Sequence, residues 1–133
     1  MTDVLLGIDQ SVDRAMAQTE TVLDLFDTDD ITAYLLHDFV DNPEGASVVQ
    51  IKSVRRARDR FRDAGVTVEL LEESGDPAQS ILDAADDIDA DAICVAGRKR
   101  SPAGKALFGS VSQSVILNTD RPVLTCGAVQ TDE

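Results

Sequence analysis

The chain is poor in several residue types that mark protein classes. It has only 3 lysines beside 9 arginines, one histidine (His37) and two cysteines (Cys94 and Cys126). No apolar run approaches the roughly 18 residues a membrane span needs. The start, Met1-Thr2-Asp3-Val4, lacks the basic residues and apolar stretch of a signal peptide. A cytoplasmic, soluble protein with no membrane partner is therefore expected. The cysteines show neither zinc-ligand spacing nor a CxxC pattern. They read as buried, reduced thiols acting as small hydrophobes. Should their strands prove neighbours, a disulfide is conceivable, though not expected in the cytoplasm. His37 reads as a hydrogen-bonding residue at a strand end and not as a catalyst. Internal repeats and low-complexity stretches are missing too; only Gln130 to Glu133 reads as a free tail.

What is present is acid. There are 25 acidic residues, 19 of them Asp, against 12 basic ones, for a net charge of −13. Such a surface repels nucleic acid and anionic membranes. It also repels itself, a cost that concentrated salt screens. Excess Asp with scarce Lys is similar in composition to proteins of salt-accumulating (halophilic) microbes. One segment breaks the pattern. Ala92 to Thr119 contains no acid but holds Arg98, Lys99, Arg100 and Lys105, and an isolated basic segment of this kind invites an anion. A second basic group, from Lys52 through Arg62, reads as a solvated helix face balanced by Asp59 and Asp63.

The 133 residues suit a single domain, 1–133, and the 43% hydrophobic content excludes a wholly disordered chain. Val4 to Ile8 and Ala92 to Ala96 are continuous apolar runs, the pattern of strands buried on both faces. Ile31 to His37 is a further strand. Val66 to Glu72 alternates as a half-exposed edge strand does. Pro122 to Cys126 is a last strand whose opening proline suits an edge. Helices are expected from Ser11 or Asp13 to about Phe26, from Ser47 to Ala64 with Gly65 as its terminator, from Pro77 past Ile88, and from Gly109 through Leu117. The order βαβαβαβαβ requires parallel strands with right-handed crossovers. With the two apolar strands central, the expectation is an open parallel five-stranded α/β sheet. Its order is 3-2-1-4-5, with helices on both faces.

Sheets of this kind bind ligands beyond the carboxyl ends of their strands, where the strand order reverses. Here that point lies between strand one, ending at Asp9, and strand four, ending at Gly97. The basic loop after Gly97 leads to Gly109-Ser110, the start of a helix whose free N–H groups favour an anion. Phosphate is the expected guest. The competing reading makes Gly109 a simple cap and leaves the bases in water. The spacing is not that of a Walker P-loop: six residues separate Gly97 from Gly104, and Ala106 follows Lys105.

Three segments carry a family resemblance: Ala96-Gly97-Arg98-Lys99-Arg100, Phe108-Gly109-Ser110-Val111-Ser112-Gln113-Ser114-Val115-Ile116, and Arg121-Pro122-Val123-Leu124. Together with Ile8-Asp9-Gln10-Ser11 and Leu35-Leu36-His37, they make the chain resemble the universal stress protein (UspA) family over essentially its whole length. The resemblance implies an adenine nucleotide alpha hydrolase-like fold. Many members bind ATP through Gly, two residues, Gly, nine residues, then Gly-Ser or Gly-Thr. Carried over, this implies phosphate contacts at Gly97, Gly109, Ser110 and Val111, with Asp9 on the nucleoside. Asp38 stands where the family often has an apolar residue whose backbone meets adenine. The second Gly of the pattern is Arg100 here, and eight residues precede Gly109. Arg98 and Arg100 would then meet phosphate through their side chains.

The implied function is a nucleotide-binding regulatory protein of the stress response. It would take ATP or AMP, with Mg2+ carried on the phosphates, and would be at most a slow ATP hydrolase, because no general base is evident. The alternative is a dimerisation or interaction module that binds no nucleotide because Arg100 alters the motif. Family members are commonly homodimers, and the apolar edge Val123-Leu124-Thr125 is the expected contact.

Overall fold

A computed structural model describes residues 2–39, 50–96 and 110–126. In chain order the elements are β1 (Thr2–Gly7), α1 (Val12–Leu25), β2 (Ile31–Asp38), α2 (Lys52–Asp63), β3 (Thr67–Glu73), α3 (Pro77–Ile88), β4 (Ala92–Ala96), α4 (Ser110–Asn118) and β5 (Val123–Cys126). The five strands form one sheet in the order β3-β2-β1-β4-β5, and every neighbouring pair is parallel. This is the architecture the apolar runs imply. Val4, Leu5 and Leu6 of β1 and Ile93 and Cys94 of β4 are fully buried. The edge strand β3 keeps Thr67, Glu69, Glu72 and Glu73 exposed.

Local chemistry sets the helix ends. Ser11 caps α1 by accepting a hydrogen bond from the backbone N–H of Arg14 at 3.2 Å. Pro77 opens α3, where its missing N–H costs nothing. Gly65 takes the left-handed conformation after α2 at φ +87°. Most boundaries shift from the sequence reading by one or two residues, and one by more. Helix α2 starts at Lys52 and not at Ser47: Gln50 belongs to a 3₁₀ turn, and Ile51 is an extended cap without a side-chain hydrogen bond. The apolar spacing of Val54, Ala57 and Phe61 marks the buried stripe but not its onset. Residues 47–49 lie outside the described residues.

Alternation along the strands splits the core into two clusters. One face carries Val4, Leu6, Ile8, Leu35 and Cys94 under α1 and α2, with Val22, Val54, Ala57 and Phe61 above them. The other carries Leu5, Leu36, Ile93 and Val95 against Ala78, Ile81, Ala84 and Ala85 of α3 and Val115 of α4. Among the described residues, no helix is long and apolar enough to cross a membrane.

Candidate functional site

The carboxyl ends of β1, β2 and β4 open into a cleft of about 400 Å³. Its floor is Gly7, Ile8 and Asp9 of the β1 end; Leu36 to Phe39 bound one side, with Pro77 and Ile81 of α3 beside them. Val95, Ala96, Val111 and Ser112 bound the other. The cleft thus sits at the reversal of strand order, between β1 and β4, and lies within the usual range for small-molecule sites.

Each wall is held by side chains that bridge elements. Ser112 is buried and donates its hydroxyl to the Ala96 carbonyl at 2.8 Å, fixing the first turn of α4 to the end of β4. Ser53 of α2 donates to the Asp9 carbonyl. His37 is buried, and its Nδ1 lies 2.7 Å from the Ile8 carbonyl. A carbonyl can only accept, so Nδ1 carries the proton in this contact. The ring also meets Phe39 edge-on at 4.8 Å. The bonding role expected for His37 is the one observed. Gln18, fully buried beneath β1 and β4, donates from Nε2 to the carbonyls of Gly7 at 2.9 Å and Cys94 at 3.2 Å. It ties the end of β1 to β4. The sequence reading missed Gln18, Ser53 and Ser112. Gln18 had one signal: a polar residue on the stripe that carries Ala15 and Val22.

The two acids differ in their engagement. Asp9 is exposed; its Oδ1 accepts from the Ser11 N–H at 2.9 Å and its Oδ2 from Arg14 Nε at 2.8 Å. A ligand hydroxyl would share this carboxylate with Arg14 through its remaining lone pairs. Asp38 accepts from Ser80 Oγ on Oδ2, while its Oδ1 is buried and without a hydrogen-bond partner. A buried acceptor left open in a cleft is a natural contact for a ligand donor. The cleft is therefore polarised. Both acids of the described lining stand at the β1/β2 side, while the other side is formed by the first turn of α4, whose N–H groups lack intrahelical acceptors.

Of the expected site residues, Asp9, Asp38 and Val111 come together in this cleft. Ser110 is the first residue of α4. Gly97, Arg98, Arg100 and Gly109 lie outside the described residues, as do Lys99 and Lys105. Among the described residues no group of three or more His, Cys, Asp or Glu side chains could hold a metal ion.

An open parallel sheet with a polarised cleft at its switch point defines a doubly wound α/β domain. Residues 1–127 match the universal stress protein family, and the chain belongs to that family. It is 39% identical over 65 residues to a universal stress protein of Mycolicibacterium smegmatis, a match covering 48% of this chain and 50% of that one. The alignable segment therefore spans about half the length of that relative. A universal stress protein structure from Archaeoglobus fulgidus superposes with a TM-score of 0.71 at 26% identity, covering 95% of this chain and 98% of that one. A universal stress protein family protein from Arabidopsis thaliana, solved with AMP bound, gives a TM-score of 0.74 at 20% identity over 97% of this chain and 93% of its own. Further solved universal stress proteins of this fold are complexes with cAMP and dAMP.

Proposed function

We propose that the cleft binds an adenine nucleotide and that the protein acts as a nucleotide-dependent regulator in the cytoplasmic stress response. The observation that carries this reading is the polarity of the cleft. Phosphate is repelled by Asp9 and Asp38 and favoured at the first turn of α4. The base then falls between the Asp38–Phe39 wall and Pro77–Ile81, where apolar surface meets an open carboxylate oxygen. Asp9 faces the sugar between them. Relatives of the same fold that hold AMP, cAMP and dAMP support an adenine nucleotide as the guest. The basic loop, with Arg98 and Arg100, would add charge to the phosphate side. Mg2+ would ride on the phosphates and not on a protein cage. The role is binding, with ATP hydrolysis slow at most.

Calorimetric titration with ATP and AMP, together with mass spectrometry of small molecules released from the purified protein, tests the reading. Saturable adenine nucleotide binding that Val111→Trp abolishes, in a variant still folded by circular dichroism, supports it. No binding at millimolar nucleotide overturns it.

A second reading rests on a different surface. Among the described residues no strand pairs with the outer edge of β5, Val123 and Leu124 are half-buried, and Leu117 of α4 is 72% exposed. Pairing of β5 with its twin would cover this edge and make a homodimer. Should nucleotide binding fail, a dimerisation module is the function left standing. Light scattering on the wild type and on Leu124→Lys distinguishes a dimer from a monomer.

A further inference from the structure

The nucleotide reading leaves the two cysteines unused. They stand on neighbouring parallel strands, with Cys94 opposite Leu124 and Ala96 opposite Cys126. Side chains two residues apart on a strand share a face, so Cys126 lies diagonally beside Cys94. Their sulfurs are 3.2 Å apart, against about 2.05 Å in a disulfide. Both are free thiols and both are buried, Cys94 completely and Cys126 at 3% exposure. Helix α1 covers the pair, with Gln18 Nε2 4.0 Å from the Cys94 sulfur.

The two thiols are not equivalent. The hydrogen bond with Cys126 and burial hold Cys94 well above the ordinary thiol range. The contact with Cys94 brings Cys126 down to about 7 despite its burial. Either sulfur can donate in this contact; once Cys126, the more readily ionised partner, loses its proton, Cys94 is left as the S–H donor to the thiolate. A thiolate is the nucleophilic form of cysteine. Cys126 is also the last residue of a four-residue strand at the sheet edge. Loosening that short strand is the least opening that exposes a sulfur of the pair.

We propose that Cys94 and Cys126 form an oxidation site which hydroperoxides convert reversibly into an intramolecular disulfide. The Cys126 thiolate attacks one peroxide oxygen; an S–O bond forms and the O–O bond breaks. The sulfur is oxidised to sulfenic acid, and the leaving oxygen takes a proton as water or alcohol. The Cys94 sulfur then attacks the Cys126 sulfur. The S–S bond forms, the S–O bond breaks, and hydroxide departs with the Cys94 proton as water. Two thiols and one hydroperoxide give one disulfide, one water, and a second water or an alcohol. A dithiol reductant reverses the change by exchange. The pair belongs to the α1/α2 face, whereas α3 and α4 line the cleft, so the site stands or falls independently of nucleotide binding.

The test exposes the full chain, folded, to hydrogen peroxide, then unfolds it in an alkylating reagent and maps the peptides by mass spectrometry. The expected result is joint loss of both free thiols, a peptide pair linked through Cys94 and Cys126, and recovery of both thiols with dithiothreitol. Cys94→Ser should stop at a Cys126 sulfenic acid that dimedone traps, and Cys126→Ser should leave Cys94 unreacted over the same exposure. The wild-type measurement needs no variant to fold. Thiols that stay fully alkylatable after peroxide, crosslinks only between molecules, or direct passage of Cys126 to sulfinic acid would each overturn the proposal.

Discussion

The two faces of the sheet are packed by opposite means. Under α1 and α2 the space is filled with bulk: Phe61 and Val54 meet Leu6, Ile8 and Leu35. Under α3 the contact is made with small residues, Ala78, Ala84 and Ala85, reinforced by Ile81. Separation between packed elements follows the side chains between them, so alanines let α3 lie close to the sheet. Gly7 takes part in that approach: a Cβ there would meet Ile81 Cδ1 at 2.6 Å. The bulky face supplies stability, and the close-packed face brings Pro77 and Ile81 to the lip of the cleft. Structure and function are thus partly assigned to different sides of one sheet.

Mutations on either side should break this division in measurable ways. Phe61→Ala, on the bulky face, should cost about 3–5 kcal/mol in urea unfolding, by leaving a cavity far from the cleft. Gln18→Met keeps the volume but strips the Gly7 and Cys94 carbonyls of their donor; a loss of about 1–3 kcal/mol is expected by the same measurement. Gly7→Ala should cost about 1 kcal/mol, the lower end of overpacking, because the Ile81 tip can turn aside. Adding Ile81→Val should recover part of that loss, and a double-mutant cycle with near-zero coupling would show that close approach of α3 is not what Gly7 serves. Asp9→Asn should change stability by less than about 1 kcal/mol. Its pairing with Arg14 is exposed and contributes little.

Much of this division is legible in the sequence. Two continuous apolar runs mark β1 and β4 as central, and the alternation in β3 marks an edge, which together give the strand order. The order then places the site, and Asp9 follows from the end of strand one, whereas Asp38 is named only by the family resemblance. The polar bridges are not legible. Gln18 is 76 residues from Cys94, and Ser80 is 42 from Asp38, so neither partner is visible before the helices are docked. The start of α2 escapes for a local reason: its cap, Ile51, makes no side-chain hydrogen bond, and periodicity alone cannot date a helix onset.

The pairing of β1 with β4 also bears on how the chain comes to be folded. Val4 and Leu5 stand in register with Ala33 and Tyr34 of β2 on one side, but on the other they wait for Ala92 and Ile93. Synthesis proceeds at about 5–20 residues per second. A nascent chain therefore carries an open β1 edge, apolar from Val4 to Leu6, for roughly 4–18 s before the strand that covers it is made. A strand that ends at the centre of the sheet is, during its birth, an adhesive edge.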